Sequence, residues 1–140
     1  MSLATVVLDT NIVLDLLVFA DPATEPLRQR LESDESVWIA TPPMREELAR
    51  VLDYPQIVRR RQFHGLTASQ VLQAFDRQAR LMPVPPKAAW TCKDPDDQKF
   101  IDLAVTHASL LLSKDQAVLC MRRRLATAGV RTQDRFEPST

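Results

Sequence analysis

The chain has 140 residues, the common size of one domain that is long enough to bury a core of its own. With 45% hydrophobic and 26% charged residues, its composition is that of an ordinary soluble globular protein. Lysine plus arginine equals aspartate plus glutamate at 18 each, which excludes attraction to a polyanion through overall charge. Any binding of nucleic acid therefore has to come from local patches.

The cysteines and the N-terminal segment indicate the cellular compartment expected for the chain. Cys92 and Cys120 lie far apart without CxxC or Cys/His spacing, so we expect two reduced thiols and no structural zinc site. Met1 to Asp9 lacks the charged region and the cleavage site of a signal peptide. The longest apolar stretch, Ile12 to Ala20, is interrupted by Asp15 and is too short to cross a bilayer. We therefore expect a soluble cytoplasmic protein.

Strand and helix patterns alternate in the first half of the chain. Ala4 to Leu8 is an apolar, β-branched run that suits a strand buried on both faces. Asp9-Thr10-Asn11 favours a turn or a helix cap, and a buried helix is predicted from Ile12 to Phe19. The next predicted elements are an amphipathic helix from Glu25 to Leu31, a strand Val37–Ala40, and a helix from Pro43 to about Leu52 that ends before Tyr54-Pro55.

The second half continues the same alternation. Thr67-Ala-Ser-Gln70 matches a capping box and opens a helix whose apolar positions continue to Met82. Pro83 to Pro86 is predicted to be a connection, with a short extended stretch around Val84. The last predicted elements are a helix capped by Asp94-Pro95-Asp96-Asp97 and running to His107, a strand Ser109–Ser113, a helix Gln116–Ala128 closed by Gly129, and a strand Val130–Thr132. This order predicts a single three-layer α/β/α domain over residues 1–140, with a mainly parallel sheet of about four to five strands.

Acidic residues fall where a parallel sheet would bring them to one edge. Asp9 and Asp115 each come just past a predicted strand. Asp97 lies in the first turn of the helix that precedes the strand Ser109–Ser113. Glu47 lies on the helix that follows the strand Val37–Ala40. Because functional groups gather at the carboxyl ends of parallel strands, we expect these side chains to meet. Taken singly, each is also explained as a helix cap or a solvated surface acid.

A cluster of carboxylates needs something that offsets its repulsion. At ~5 Å and an effective dielectric of about 20, each close pair costs roughly 3 kcal/mol. The cluster persists if its members take up protons or bind a cation. Oxygen ligands without a nearby His or Cys favour Mg²⁺ or Mn²⁺, and such an ion suits phosphodiester hydrolysis because it lowers the pKa of a bound water.

Four sequence blocks contain these acids and occur in a fixed order along the chain. They are Val6–Leu14, which includes Asp9-Thr10-Asn11; Glu46–Leu52; Cys92–Ile101, which reads Cys-Lys-Asp-Pro-Asp-Asp-Gln-Lys-Phe-Ile; and Ser113-Lys114-Asp115. Together they resemble the PIN domain family, in particular a bacterial and archaeal subgroup of toxin components of toxin–antitoxin pairs. The resemblance runs from about Ala4 to Phe136.

The resemblance implies a Mg²⁺- or Mn²⁺-dependent endoribonuclease that hydrolyses phosphodiester bonds of RNA. Carried over by position, the catalytic and metal-binding quartet consists of Asp9, Glu47, Asp97 and Asp115. Asn11 and Ser113 orient that quartet through hydrogen bonds. Asp94 and Asp96 remain alternatives, since several acids are adjacent in that block.

The same resemblance implies partners. They are an RNA substrate, a cognate antitoxin protein and a second copy of the chain in a homodimer, with no membrane involved. Trp38 and Trp90 lie in segments that suit either such a homodimer contact or the core.

Two arginine triplets are candidates for holding RNA phosphates. They are Arg59, Arg60 and Arg61, and Arg122, Arg123 and Arg124. The alternative for both is a solvated helix face, and basic residues late in a helix also complement its dipole.

Other functions are less consistent with the residues. A phosphatase of the haloacid dehalogenase type needs Asp-x-Asp after the first strand, where this chain has Asp9-Thr10-Asn11. A receiver domain usually has adjacent acids after its first strand and a further Asp after its third strand, and this sequence shows neither feature. A non-catalytic PIN-type scaffold that binds RNA or protein remains open, although all four acids are present.

Overall fold

The computed structural model describes residues 4–137, in which five strands form one sheet. The strands are β1 (Ala4–Leu8), β2 (Ser36–Ala40), β3 (Ala79–Leu81), β4 (Leu110–Leu112) and β5 (Arg131–Gln133). Their order across the sheet is β3-β2-β1-β4-β5, and every neighbouring pair is parallel. The predicted α/β class with a parallel sheet in a three-layer α/β/α arrangement is confirmed.

Helices connect the strands because a parallel pair requires a crossover. They are α1 (Thr10–Leu17), α2 (Glu25–Glu32), α3 (Pro42–Val51), α4 (Pro55–Phe63), α5 (Ala68–Gln78), α6 (Gln98–His107), α7 (Gln116–Leu119) and α8 (Arg122–Ala126), with short 3-10 turns at Pro22–Thr24 and Pro95–Asp97. Within residues 4–137, no helix has the length and apolar character needed to cross a membrane.

The centre of the core is β1, which lies between β2 and β4. Its residues Val6, Val7 and Leu8 are buried on both faces, as the apolar run predicted. On the neighbouring strand, Trp38 is 1% exposed and its ring meets Phe75 edge to face, with the centroids 5.1 Å apart. Trp38 is therefore a core residue and is unavailable for a homodimer contact. Trp90 is partly buried and packs against the same core.

The third strand lies earlier in the chain than its predicted position around Val84. The capping box at the start of α5 is confirmed, but the helix ends at Gln78 instead of continuing to Met82. Residues Ala79–Leu81 instead pair with β2, and the Met82 backbone N–H donates to the Ala40 carbonyl at 2.7 Å. Hydrogen bonding to a neighbouring strand thus overrides the helical period of the sequence.

The sequence pattern does not predict helix α4, because Tyr54-Pro55 indicates only the end of α3. Pro55 instead occupies the first turn of α4, where its missing N–H is tolerated. No residue of α4 is buried, so the helix has no apolar stripe that would reveal it in the sequence.

The predicted helix Gln116–Ala128 is in fact two shorter helices, α7 and α8. The Met121 backbone N–H donates to the Val118 carbonyl at 3.0 Å, a 3-10-type bond that interrupts the α-helical ladder between them. The buried side chains of Val118, Met121 and Leu125 anchor both helices to the core.

Candidate metal centre

The parallel pairing of β1 with β4 fixes the centre of the site. Leu8 pairs with Leu112, and the Asp9 backbone N–H donates to the Leu112 carbonyl at 3.0 Å. Asp9 and Ser113 consequently leave the sheet side by side at its carboxyl edge. This is also where the chain's connections diverge, since β2 and β3 lie on one side of β1 and β4 and β5 on the other. Such a point is the usual ligand-binding crevice of an open parallel sheet.

The Asp9 carboxylate is 5% exposed and is held by two hydrogen bonds. Its Oδ2 accepts from the Ser113 hydroxyl at 2.7 Å, and its Oδ1 accepts from the Asn11 backbone N–H at 3.3 Å, which caps α1. Burial raises the pKa of Asp9 most, the negative charges of Glu47 and Asp115 add to the rise, and the two hydrogen bonds oppose it. Asp9 is therefore both a helix cap and a member of an acidic cluster.

Three further acids converge near Asp9, and among residues 4–137 they form a metal-compatible group that does not include Asp9 or Glu47. One carboxylate oxygen from each of Asp94, Asp97 and Asp115 lies within 4.8 Å of the others. Asp94 caps the 3-10 turn by accepting from the Asp96 backbone N–H at 3.0 Å, and Asp115 caps α7 by accepting from the Ala117 N–H at 2.9 Å. Of the two alternatives in this block, Asp94 faces the cluster and Asp96 is exposed.

The signal for Asp94 is present in the sequence. A 3-10 turn has three residues per turn, so positions i and i+3 lie above one another. Pro95, which favours the first turn of a helix, indicates that such a turn begins after Asp94. Asp94 and Asp97 therefore share a side, which the spacing Asp-Pro-Asp-Asp alone could have indicated.

Asp97 has the most unusual environment of these acids. It is 8% exposed and stands at the N-cap position of α6, yet its side chain makes no capping hydrogen bond. Its Oδ2 is buried without a hydrogen-bond partner among the described residues. The pKa of Asp97 rises to about 8, first because of burial, then because only its protonated form can donate to Asp115, and finally because of the charges of Asp9, Asp115 and Asp94. Without a cation, this cluster holds a proton at neutral pH.

Glu47 lies at the border of the cluster and has partners of its own. Its Oε1 accepts from the Lys99 ammonium at 2.9 Å, and its Oε2 accepts from the Thr10 hydroxyl. Lys99 also donates to the Asp96 carbonyl. Neither Thr10 nor Lys99 was predicted as part of the site, although each stands within two residues of a predicted acid.

The donor chemistry fits a hard divalent cation. The converging atoms are carboxylate oxygens, and a buried oxygen without a partner is the kind of atom that an ion would satisfy. Cys92 belongs to the same sequence block, but burial raises the pKa of its thiol, and its Sγ donates to the Ala117 carbonyl at 3.3 Å. In the part of the chain that the structure describes, Cys92 and Cys120 are free of a disulfide and stand outside the one metal-compatible group.

The first arginine triplet lies on α4, where two of its side chains contact other parts of the protein and the third faces solvent. Arg61 donates to the Leu52 carbonyl at 3.0 Å, so it fastens α4 to the end of α3. The Arg60 guanidinium lies 4.3 Å from the centroid of the Phe19 ring. Arg59 is exposed.

The second triplet forms most of α8. Arg122 donates to the Thr132 carbonyl at 3.0 Å, which ties α8 to β5. Arg123 and Arg124 are exposed in the last turn, where positive charge also complements the helix dipole. Of the six arginines in the two triplets, only Arg61 is partly buried; Arg60 and Arg122 are exposed but already contact Phe19 and Thr132.

Comparison with known families identifies one match. The family model described as PIN domain matches residues 5–117, a range that contains all the acidic residues of the site. It ends before Phe136, so the last part of the sequence resemblance lies outside the match. No curated protein matches the chain.

Proposed function

The chain belongs to the PIN domain family, and on this premise we propose that it is a metal-dependent endoribonuclease that hydrolyses RNA phosphodiester bonds. PIN domains are generally nucleases. The observation that carries the proposal is the buried Oδ2 of Asp97, which has no hydrogen-bond partner within residues 4–137 and lies beside the carboxylates of Asp94 and Asp115. Such an arrangement is repulsive by itself and becomes favourable when a cation is present.

The proposed cation is Mg²⁺ or Mn²⁺, and Asp9, Asp97 and Asp115 are its proposed catalytic ligands. We add Asp94 to these ligands because its carboxylate lies in one group with those of Asp97 and Asp115. Glu47, which pairs with Lys99, is the proposed ligand at the border of the cluster. When bound, the ion would act as a Lewis acid that lowers the pKa of a water molecule and offsets negative charge on the phosphate.

The surrounding residues hold the carboxylates in place. The Ser113 hydroxyl donates to Asp9 Oδ2 and accepts from the Asp115 backbone N–H at 3.1 Å, so one buried group positions two acids. Lys99 and Thr10 do the same for Glu47, and the Lys99 charge reduces repulsion at that side. A fixed arrangement of this kind lowers the cost of ordering ligands around an ion.

Ser113→Ala is expected to weaken Mn²⁺ binding by about 10- to 100-fold, the usual effect of removing a residue that orients a ligand. Isothermal titration calorimetry measures it directly. Ser109→Ala is the matched control, because Ser109 is a buried serine just before β4 whose hydroxyl contacts Thr5 and not an acid. Equal affinities in both variants would show that Ser113 does not position the site.

Cleavage of single-stranded RNA by the purified protein is the direct test of the function. We expect cutting with Mn²⁺ or Mg²⁺, none in excess EDTA, and little cutting of DNA of the same sequence. Cutting that persists in EDTA would contradict the metal dependence. Tight binding of RNA without cutting, at any cation concentration, would instead support a non-catalytic scaffold.

The roles of toxin, antitoxin partner and homodimer rest on the sequence resemblance alone. If the chain is a toxin, its expression arrests growth, the protein encoded by the adjacent gene relieves the arrest, and the arrest depends on the acidic cluster. Harmless expression of an active nuclease would argue against this role.

A further inference from the structure

A cavity of about 230 Å³ opens at the end of β4, as the carboxylate site does. The two share the segment Leu112–Asp115 at the end of β4. Ser113 and Asp115 belong to the carboxylate site, whereas Leu112 and Lys114 line the cavity. Another part of its wall comes from Asp134 to Phe136, which follow β5. Successive residues of an extended segment point to opposite sides, so the cavity lies at the same edge of the sheet as the acids but on the other side of this segment.

The lining combines an apolar surface with acidic groups. Its apolar side chains are Ile12, Leu27, Leu112 and Phe136. Asp15 is 7% exposed and pairs with Lys114 at 2.6 Å, so these two charges cancel. The remaining charged groups are Asp21, Asp134 and Arg135, which leave a formal charge of −1. An anionic occupant such as a phosphate is disfavoured here, and a neutral, partly apolar one is favoured.

The acidic groups can accept additional hydrogen bonds. Asp21 uses Oδ1 to accept from the Ala23 backbone N–H at 2.9 Å, which caps the 3-10 turn, and its other oxygen has no recorded bond among residues 4–137. Asp134 and Arg135 are 3.8 Å apart, too far for a hydrogen bond. An ionised carboxylate is an acceptor only, so any hydrogen bond between these aspartates and an occupant uses a donor of the occupant.

The size of the cavity limits the occupant further. Cavities that hold drug-sized molecules measure about 300–1,000 Å³. A cavity of about 230 Å³ suits one small group, and the Phe136 ring offers a surface on which a planar group can stack.

We propose that this cavity receives one nucleobase of the RNA substrate, a base that carries an exocyclic amino group. This inference rests on the proposed nuclease function, because that function supplies the RNA whose base would enter a cavity at the same edge of the sheet as the carboxylate site. Adenine, cytosine and guanine each present an exocyclic amino donor, whereas uracil has none. Asp21 and Asp134 accept from that amino group, and the apolar wall covers the ring.

The first test measures nucleoside binding in EDTA, so it does not depend on cleavage. Adenosine, cytidine, guanosine and uridine are titrated separately into the protein while the Phe136 ring and the Leu27 and Leu112 methyl signals are followed by NMR. We expect the amino-bearing nucleosides to shift these signals and uridine to bind on the order of tenfold more weakly. No shift with any nucleoside, or equal binding of uridine, overturns the inference.

Asp21→Asn removes the charge of the acceptor while its amide oxygen still caps the 3-10 turn. We expect this variant to lose most of the preference over uridine. Asp76→Asn is the control, since Asp76 is a surface acid on α5 that pairs with Arg45 away from the cavity. A preference that is unchanged in Asp21→Asn overturns the proposed contact.

A second test uses cleavage of RNAs that differ at one position. Ala23 is exposed on the cavity wall, and Ala23→Trp is designed to fill the cavity. We expect the metal-dependent cutting that this variant retains to show no base preference. Cutting by the unaltered protein without any base preference overturns the inference and leaves the nuclease function standing. Selective nucleoside binding without any RNA cleavage would instead support the cavity as a base site and contradict the nuclease function.

Discussion

Asp9→Asn is expected to lower RNA cleavage by on the order of 10³-fold, the upper end of the loss when one preorganised charge-stabilising group is removed. Asparagine has the shape of aspartate, and its amide oxygen can accept from Ser113 or Asn11 as the carboxylate does. What disappears is the negative charge at the point where β1 leaves the sheet, and with it a proposed ligand of the cation.

The same substitution is expected to leave the fold intact or to stabilise it when no cation is present. Burial and the neighbouring acids raise the pKa of Asp9, which means that its charged form is disfavoured in the folded protein. A neutral amide avoids that cost. Circular dichroism and urea unfolding in EDTA therefore separate a loss of chemistry from a loss of structure.

Glu46→Gln is the matched control for Asp9→Asn. Glu46 lies beside Glu47 on α3 but is exposed and outside the acidic cluster. Its neutralisation is expected to leave cleavage within about twofold, as is usual for a surface charge. Full activity of Asp9→Asn, or equal losses in both variants, would contradict the assignment of Asp9.

The second large effect concerns stability and pH. Asp97 binds its proton with a pKa of about 8 in the folded protein, compared with 3.8 for an ordinary aspartate. Between these values the folded state holds a proton that the unfolded state has lost. The free energy of unfolding in EDTA is therefore expected to fall as the pH rises from about 4 to 8, by several kcal/mol in total. Asp9 contributes in the same direction because its pKa is also raised.

Saturating Mn²⁺ is expected to remove most of this decline, because a bound cation stabilises the ionised carboxylates. Asp97→Asn is expected to flatten the decline without any metal. Urea unfolding between pH 5 and pH 8, with EDTA or Mn²⁺, measures both effects. A wild-type protein that is equally stable across this range in EDTA, or an Asp97→Asn variant with the same slope, would refute the account of the cluster.

Strand ends were the most predictable part of the site. The placement of Asp9 and Asp115 follows from a buried apolar run and from parallel pairing, both of which depend only on sequence pattern. The contacts of Glu47 depend on the positions of Thr10 and Lys99 after folding, so they were not predictable in the same way. The same acid can cap a helix and belong to the acidic cluster, since Asp9 caps α1 and Asp115 caps α7.

The errors in the fold have a common physical cause. Apolar periodicity reports which residues face a core, and α4 has no such face. The extent of β3 is set by hydrogen bonds to β2, which the periodicity of residues 79–82 does not encode. The break between α7 and α8 is similarly a matter of local hydrogen bonding at Met121.

The Ser113–Asp9 hydrogen bond joins residues that are 104 positions apart in the chain. Closing so long a loop costs conformational entropy before any native contact repays it, and topologies of this kind fold slowly. On a ribosome, Asp9 emerges early but lacks Ser113 and Asp115 until most of the chain has been made. A nascent chain that ends before Asp115 therefore lacks an assembled acidic cluster.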